Sequence, residues 1–243
     1  MSYCLDLNHD LDNLYSFGLK DHVDEFPPVI TALSYPDGLL AAGGDLEPKT
    51  LLTAYSRGIF PWFEEGQPIL WWSPNPRLIL YPKNLKISRS LRKILRKNTY
   101  HVTTNEAFIS VVEKCGPKRH NENESWITDE MITAYEKLFG LGIAKSVETW
   151  LNGELVGGLY GVSMGGVFFG ESMFSLAPDA SKVALATYVD VLIKENVTLI
   201  DCQVYSAHLS SLGGEMVDRL IFEQMLTELI PALDTQEYKS IQL

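Results

Sequence analysis

The sequence predicts a mixed α+β protein with a small N-terminal domain, residues 1–80, and a larger mixed-sheet domain, residues 81–243. Two observations lead to this prediction. The first 80 residues are rich in proline, glycine and aromatic residues and contain few long periodic elements. The rest of the chain is more regular, with antiparallel strands followed by a helix, one more strand and a final helix.

Composition narrows the function classes. The chain has 243 residues, a formal net charge of −11 and 46% hydrophobic residues, which suffice for a large core. Such an acidic balance argues against indiscriminate binding to nucleic acid. The three cysteines and five histidines are scattered without ligand spacing, so we expect no disulfide framework and no metal site. Nothing resembles a signal peptide or a membrane span, and we therefore expect a cytoplasmic protein that does not contact membranes.

The N-terminal domain contains one predicted helix, in the segment "KTLLTAYSRG". This helix ends at Gly58, a residue type that commonly follows a helix C-terminus. The segment "IFPWF" comes next, so its aromatic residues, including Trp62, lie just beyond the helix. Trp71 and Trp72 are expected to pack between the two domains.

The larger domain begins with a basic helix in the segment "KNLKISRSLRKILRK", which contains seven basic residues and no acidic one. Ser88 is suited to cap this helix, and its apolar stripe consists of Ile87, Leu91, Ile94 and Leu95. The face that remains for solvent consists of Lys86, Arg89, Arg92, Lys93, Arg96 and Lys97. A face of one sign on an acidic protein favours a local phosphate-binding patch over a merely solvated surface.

The later elements follow in a recognisable order. Helices are expected around residues 111–112 and 128–139, and the Asn152-Gly153 pair predicts a hairpin between two strands. Another strand, over 166–175, a helix over 181–194, a strand over 197–203 and a helix over 219–229 complete the chain. This is also the order of a GNAT-type acyltransferase core. Acetyl-CoA is nevertheless disfavoured, because "SLAPDASKVAL" has a proline and an aspartate where anion-binding glycines are wanted.

Polar side chains interrupt two apolar strands. In "VTLIDCQ", residues 197–203, Asp201 and Gln203 are expected to share a face because strand residues alternate, while Cys202 points into the packing and is a poor nucleophile candidate. In "VFFGESMF", Glu171 needs a partner, since an unpaired buried charge is costly, and Met173 is expected on its face. In the alternative interpretations, Asp201 caps the following loop, Gln203 is an ordinary polar residue of the surface, and Glu171 forms a structural salt bridge.

Together these segments resemble the leucyl/phenylalanyl-tRNA–protein transferase family, over roughly residues 28–225 and in the family's order. The resemblance implies an enzyme that moves Leu or Phe, and less readily Met, from aminoacyl-tRNA to the N-terminal Arg or Lys of an acceptor protein. That transfer marks the acceptor for degradation by the N-end rule. No cofactor or metal is implied, because aminoacyl-tRNA is already an activated ester. The motifs that carry the resemblance are "GLLAAGGDL" (38–46), "YSRGIFPWF" (55–63), "ILWWSPNPR" (69–77), "SWIT" (125–128), "GGLYGV" (157–162), "FFGESMFS" (168–175) and "LIDCQ…HLSSLGGE" (199–215).

The resemblance also assigns roles to individual residues. Asp201 is expected to orient and polarise Gln203, whose amide contacts the attacking amine, while the proton passes either through Gln203 or directly to the leaving ribose oxygen. Glu171 and Ser206 are expected to contact the acceptor, although relatives commonly have Asn or Thr where Ser206 stands. The remaining assignments are an aminoacyl side-chain pocket of Leu159, Met173, Leu185 and Tyr188, and contacts of Trp62 and Trp126 to the tRNA 3′-adenosine.

Two expectations and two rival classes complete the sequence-based hypothesis. Lys86, Arg89, Arg92, Lys93 and Arg96 are expected to contact the tRNA acceptor stem, because they form the one-signed face. The protein is expected to be a monomer. The rival classes are an N-acetyltransferase and a non-catalytic RNA-binding module; the module alternative gives no reason for carboxylates inside apolar strands.

Overall fold

The computed structural model of the protein describes residues 14–19, 23, 25–116 and 127–231. Two short 3-10 helices, Val29–Thr31 and Pro82–Asn84, lie among its regular elements. The strands and α-helices are, in chain order, β1 (Tyr15–Leu19), β2 (Leu39–Gly44), α1 (Pro48–Ser56), β3 (Phe60–Pro61), β4 (Leu70–Trp72), β5 (Arg77–Leu80), α2 (Arg89–Arg96), β6 (His101–Thr104), α3 (Phe108–Cys115), α4 (Asp129–Gly140), β7 (Ala144–Leu151), β8 (Glu154–Met164), β9 (Val167–Ser175), α5 (Ala180–Lys194), β10 (Leu199–Asp201), α6 (Ala207–Ser211), β11 (Glu215–Val217) and α7 (Arg219–Leu229).

The strands form two sheets. A small sheet has the order β1-β2-β4-β3, and a larger sheet has the order β11-β5-β10-β9-β8-β7-β6. The larger sheet is mixed, because β10 runs parallel to β9 and antiparallel to β5. The predicted α+β class, with a small N-terminal part and a mixed sheet, is confirmed. β5 belongs to the larger sheet although it precedes residue 81, and the division of the chain into two domains stays a prediction.

Helices cover both faces of the larger sheet. Side chains of α3 and α4 join one apolar cluster with the small sheet, and side chains of α5 form a second cluster on the opposite face. The order β9-α5-β10 therefore makes one parallel crossover within a sheet that is otherwise antiparallel. This crossover places the ends of β9 and β10 beside α5.

Local sequence signals explain several elements. Asn152 and Gly153 both have positive φ, 53° and 82°, as a two-residue hairpin turn between β7 and β8 requires. Ser88 caps α2 by accepting a hydrogen bond from the Leu91 N–H at 3.1 Å. Both features were predicted and are confirmed. The predicted helix over 219–229 is also confirmed, since α7 has those bounds.

The basic helix α2 packs on the outside of α5. Leu91 is buried against Val183 and Ala186 of α5, and the partly buried side chains of Ile87 and Ile94 join it, with Leu95 also in contact. The predicted apolar stripe is confirmed. Because this stripe faces α5, the basic side chains of α2 remain on the solvent side.

Candidate active site

The strands β9 and β10 run together for three residues and then separate. Leu199 lies opposite Val167, and Asp201 lies opposite Phe169. Beyond this point β10 ends, whereas β9 continues to Ser175. Polar residues that follow the last paired position on either strand therefore meet where the two strands part, and ligands of open sheets commonly bind at such places.

Asp201 ends β10 and is completely buried. Its carboxylate accepts two hydrogen bonds from Arg77 of β5, from Nε to Oδ1 at 2.8 Å and from Nη2 to Oδ2 at 2.7 Å. The guanidinium of Arg77 also lies between the rings of Phe60 and Phe222, 4.8 Å from each centroid. This bidentate, aromatic-flanked ion pair makes a buried carboxylate tolerable at the centre of the sheet.

Gln203 is held by its backbone. Its N–H donates to Oδ1 of Asp201 at 2.9 Å, and its carbonyl accepts from the Leu78 N–H at 3.2 Å. The strand predicted over 197–203 is too long, because β10 stops at Asp201 and Gln203 adopts a left-handed conformation with φ of 62°. The expectation that strand alternation puts Asp201 and Gln203 on one face is therefore wrong. Asp201 contacts the backbone N–H of Gln203 instead of its side-chain amide.

The side chain of Gln203 reaches Glu171. Its Nε2 donates to Oε1 of Glu171 at 3.1 Å, and the Tyr135 hydroxyl donates to Oε2 at 2.7 Å. The Tyr55 hydroxyl lies 2.6 Å from that of Tyr135. When Glu171 is ionised, the Tyr135 proton is directed at its carboxylate, and Tyr55 is then the donor in this contact. A chain of hydrogen bonds therefore runs from Tyr55 through Tyr135 and Glu171 to Gln203.

A shift in strand register directs Glu171 towards this chain. Tyr160 of β8 pairs with Ser172, but Gly161 pairs with Gly170, so Glu171 is opposite no residue of β8. This is the arrangement of a β-bulge, which changes the direction of side chains. The expectation that Met173 shares the face of Glu171 is wrong for this reason: Met173 packs with the α5 cluster.

Burial raises the pKa of Glu171 from 4.5 to about 7, and the negative charge of Asp201 adds to the rise. The hydrogen bonds from Tyr135 and Gln203, together with the nearby Tyr55 hydroxyl, act in the opposite direction by stabilising the carboxylate. Near neutral pH the carboxyl group is therefore present in both protonation states. A group in this condition can accept or release a proton during a reaction.

The four residues of the predicted side-chain pocket lie together. Leu159, Leu185 and Tyr188 are buried and belong to one apolar cluster, and Met173 is partly buried against it. Leu159 is also the residue opposite Met173 across the β8–β9 ladder. The cluster lies on the α5 face of the sheet, whereas Tyr135, the hydrogen-bond partner of Glu171, belongs to the cluster on the other face.

The tryptophans and Ser206 occupy different places. Trp62 is 39% exposed, and its ring is tilted against Trp72 at 5.6 Å, whereas Trp71 is buried in the core. Trp71 and Trp72 are both buried in the core, their packing between two domains stays a prediction, and Trp126 lies outside the described residues. Ser206 caps α6, because its Oγ accepts the Leu209 N–H at 3.4 Å.

Two further predictions about side chains can be compared with the structure. All five basic residues proposed for the acceptor stem are exposed, and none pairs with a carboxylate of a described residue: Lys86, Arg89, Arg92, Lys93 and Arg96. Cys202 is partly buried, and burial together with the charge of Asp201 raises the pKa of its thiol. A thiol that stays protonated is a poor nucleophile, as expected for this residue.

Sequence reasoning missed Arg77, Tyr135 and Tyr55. A signal existed for Arg77, since it is a lone cation before the apolar run "LIL" and thus a natural partner for the lone carboxylate Asp201. The two tyrosines lie on amphipathic helices, where an aromatic residue is normal core, so no local pattern marks them. Within the described ranges, no cluster of three or more potential ligands is placed to hold a metal ion, and no helix could span a membrane.

The fold and the site together define a class of protein. A mixed sheet whose two parallel strands separate beside a buried carboxyl group of raised pKa and an amide brings together groups that an enzyme can use for proton transfer and substrate positioning.

Comparison with known proteins gives the family. The family model described as leucyl/phenylalanyl-tRNA protein transferase matches residues 79–227, and the model of its N-terminal domain matches residues 44–75. A protein of Nitrosomonas eutropha named leucyl/phenylalanyl-tRNA–protein transferase is 55% identical over 204 residues, which are 84% of this chain and 87% of that protein. One of the same name from Syntrophobacter fumaroxidans is 54% identical over 207 residues, 85% and 88% of the two chains. The chain belongs to the leucyl/phenylalanyl-tRNA–protein transferase family and is an enzyme.

Among solved structures, the chain is similar to a GCN5-related N-acetyltransferase from Kribbella flavida. The TM-score is 0.36 at 12% sequence identity, over 69% of this chain and 60% of that chain.

Replacing Glu171 by Gln is expected to flatten the pH dependence of folding stability. The pKa of about 7 in the folded protein exceeds the usual 4.5, so the folded state binds this proton more tightly than the unfolded chain. The resulting stabilisation is complete below pH 4.5 and is lost as the pH rises through 7, a difference of about 3 kcal/mol. Urea denaturation of both proteins across this range measures the difference, and parallel pH profiles would contradict it.

Replacing Asp201 by Asn is expected to lower the free energy of unfolding by about 3–5 kcal/mol, because it leaves the buried Arg77 guanidinium without its counter-charge. Asp179→Asn is the matched control. It breaks an ion pair with Lys182 of similar length, 2.6 Å, whose side chains are 31% and 25% exposed, so a loss of about 1 kcal/mol or less is expected. Equal losses of unfolding free energy in the two variants would show that the buried ion pair stabilises the protein no more than the partly exposed one.

Proposed function

We propose that this enzyme transfers Leu or Phe, and less readily Met, from aminoacyl-tRNA to the N-terminal Arg or Lys of an acceptor protein. The product would mark that protein for degradation by the N-end rule. The observation that carries the proposal is the contact between Gln203 and Glu171 where β9 and β10 part, next to an apolar cluster. Membership of the family supports the reaction class, and the acceptor and donor preferences are the proposed part.

The reaction needs no cofactor. The acceptor amine attacks the ester carbonyl, a C–N bond forms, the bond from the carbonyl carbon to the ribose oxygen breaks, and that oxygen gains the proton lost by the amine. Gln203 contacts the amine and positions it for attack, as its fixed backbone allows. Positioning and preformed hydrogen bonds can supply much of the rate in such a transfer.

Glu171 can remove the first proton from the acceptor. A free α-ammonium group has a pKa of about 8, so most acceptor molecules are protonated and unreactive at neutral pH. Transfer of this proton to a carboxylate whose pKa is about 7 is uphill by about 1.4 kcal/mol. The same transfer to an ordinary glutamate would be uphill by about 5 kcal/mol, so the raised pKa makes Glu171 a usable base.

The apolar cluster suits the donor side chain. Leu159, Met173, Leu185 and Tyr188 would surround a Leu, Phe or Met side chain, and each buried methylene group contributes about 0.8 kcal/mol. This dependence on buried area favours large apolar donors over small ones. Trp62 and Trp126 would stack on the terminal adenosine, since stacking on aromatic side chains does not depend on base identity.

The basic face of α2 and the hydroxyl of Ser206 would make the remaining substrate contacts. The exposed basic face of α2 would hold the phosphates of the acceptor stem, and the opposite signs on this face and on the rest of the protein favour that placement. Ser206 would contribute its hydroxyl proton to the acceptor, because its oxygen already accepts a hydrogen bond within α6.

The direct test is transfer of labelled Phe from Phe-tRNA to a peptide. Peptides that begin with Arg or Lys are expected to become labelled, whereas the same peptide beginning with Ala is not. Leu-tRNA should serve as a donor, and Ala-tRNA should not, because its side chain buries too little apolar area. Binding of Phe-tRNA without transfer to any peptide would overturn the proposed activity.

The basic face provides a second prediction. Changing Arg89, Arg92 and Arg96 together to Gln should weaken binding of charged tRNA and reduce the slope of log affinity against log salt by up to about 2–3. Transfer from a minimal aminoacyl-adenosine donor should barely change, since that donor has no acceptor stem.

The control for this prediction removes the same charge elsewhere. Lys114, Lys137 and Lys194 are exposed residues of α3, α4 and α5, and their joint change to Gln should leave the salt slope unaltered. If the control lowers the slope equally, or if both donors suffer equally in the arginine variant, the basic face is not the site of the stem.

A further inference from the structure

The segment that follows Gln203 exposes two large apolar side chains. Val204 is 42% exposed and Tyr205 is 64% exposed, although the residues before them are buried or half-buried. Between the end of β10 at Asp201 and the start of α6 at Ala207, these two residues belong to no helix or strand. They lie directly beside the proposed reaction centre.

The backbone of these two residues makes no hydrogen bond to another residue that the structure describes. Within the described part of the chain, neither the N–H nor the carbonyl group of Val204 or Tyr205 has a hydrogen-bond partner. Both ends of the segment are nevertheless fixed. Gln203 is held by Asp201 and Leu78, and Ser206 caps α6 through its side chain while its carbonyl accepts from the Ser210 N–H at 2.8 Å. A short backbone strip with free donors and acceptors is thus held in place at each end.

An acceptor polypeptide has to pass close to this strip. Its α-amine must reach Gln203 and Glu171, and an extended chain advances about 3.3 Å per residue. The second and third acceptor residues therefore lie within about 10 Å of the reaction centre. Val204 and Tyr205 are one and two residues from Gln203, which is within the same range.

The charges near the strip favour a peptide over a nucleic acid. Residues 198–218 contain no lysine or arginine, and they include Asp201, Glu215 and Asp218. Phosphate groups would find no lysine or arginine in this segment, and the Arg77 guanidinium that contacts it is buried and already paired with Asp201. Lys86 of the basic face borders this segment at Leu212, whose carbonyl accepts the Lys86 N–H at 2.8 Å, nine residues after Gln203 in the chain.

We propose that the strip formed by Val204 and Tyr205 binds the second and third residues of the acceptor chain through main-chain hydrogen bonds, with the two exposed side chains covering them. This proposal rests on the proposed function and adds to it the path of the acceptor. Main-chain pairing carries little information about side chains, as in other proteins that bind a peptide as an added strand. The enzyme would therefore accept proteins of unrelated sequence after the first residue.

The first experiment varies the acceptor and keeps the wild-type enzyme and Phe-tRNA. Arginine amide, the hexapeptide Arg-Ala-Ala-Ala-Ala-Ala and two N-methylated forms of that peptide are compared. Methylation of the amide nitrogen of residue 3 removes a main-chain donor at the strip and should raise KM about threefold to tenfold. Methylation at residue 6 lies beyond the strip and should leave KM unchanged.

The second experiment varies the strip. Tyr205→Ala and Val204→Ala should raise KM for the hexapeptide about threefold or more while leaving kcat and the KM for arginine amide unchanged. Leu220→Ala and Ile221→Ala are matched controls, because these residues are 49% and 53% exposed on α7, away from Gln203 in the chain. The four positions are exposed, so none of these changes should affect folding.

The outcomes separate this inference from the proposed function. Equal KM changes for hexapeptide and arginine amide, or equal KM values for the two methylated peptides, would overturn the acceptor strip while leaving the transfer reaction intact. An absence of transfer from Phe-tRNA to every acceptor would instead overturn the proposed function itself. A rise in KM confined to the hexapeptide and to methylation at residue 3 supports the strip.

Discussion

The ion pair between Arg77 and Asp201 is the constraint on which the rest of the site depends. One carboxylate accepts hydrogen bonds from Nε and Nη2 of the guanidinium and from the N–H of Gln203, so a single group fixes β5, β10 and the start of the following loop relative to one another. The guanidinium in turn lies between Phe60 of the small sheet and Phe222 of α7. The same contact therefore joins β5 to β10, the small sheet to the large one, and the C-terminal helix to the loop that carries Gln203.

Glu171 illustrates how opposing influences set the protonation of a buried acid. Burial alone would keep the carboxyl group neutral, and the nearby charge of Asp201 acts in the same direction. The hydrogen bonds from Tyr135 and Gln203 favour the anion and limit the rise of the pKa, which reaches about 7. Because Asp201 is neutralised by Arg77, its field on Glu171 is weaker than that of a free carboxylate. The ion pair thus influences the pKa of Glu171 as well as the position of Gln203.

The sequence predicted those features that local chemistry determines. Glu171 and Asp201 were identified because a lone carboxylate in an apolar strand needs a reason, and the β7–β8 hairpin because Asn-Gly fits only a few turns. The end of β10 was missed, although Asp201 is a turn-forming residue type: its carboxylate accepts the N–H of Gln203 two residues on, and the apolar run before it led to the prediction of a continuous strand. The hydrogen-bond partners of the two carboxylates were also missed, since Arg77 is 124 residues from Asp201 and Tyr135 is 36 residues from Glu171. Such pairings, like the bulge at Glu171, arise from the tertiary fold and leave no periodic pattern.

Helix α5 connects the two substrate surfaces of the proposed function. On one side its Val183 and Ala186 pack against Leu91 of the basic helix, and on the other its Leu185 and Tyr188 join the apolar cluster beside the reaction centre. Helix α5 would therefore hold a tRNA stem bound on α2 at a defined distance from the pocket proposed for its amino acid. The segment 198–218, which has no lysine or arginine, contacts the beginning of the basic region, because the Lys86 N–H donates to the Leu212 carbonyl at 2.8 Å. In the proposed function this contact, together with α5, would fix the distance between the surface that holds the polyanionic donor and the loop of Gln203 that receives the acceptor.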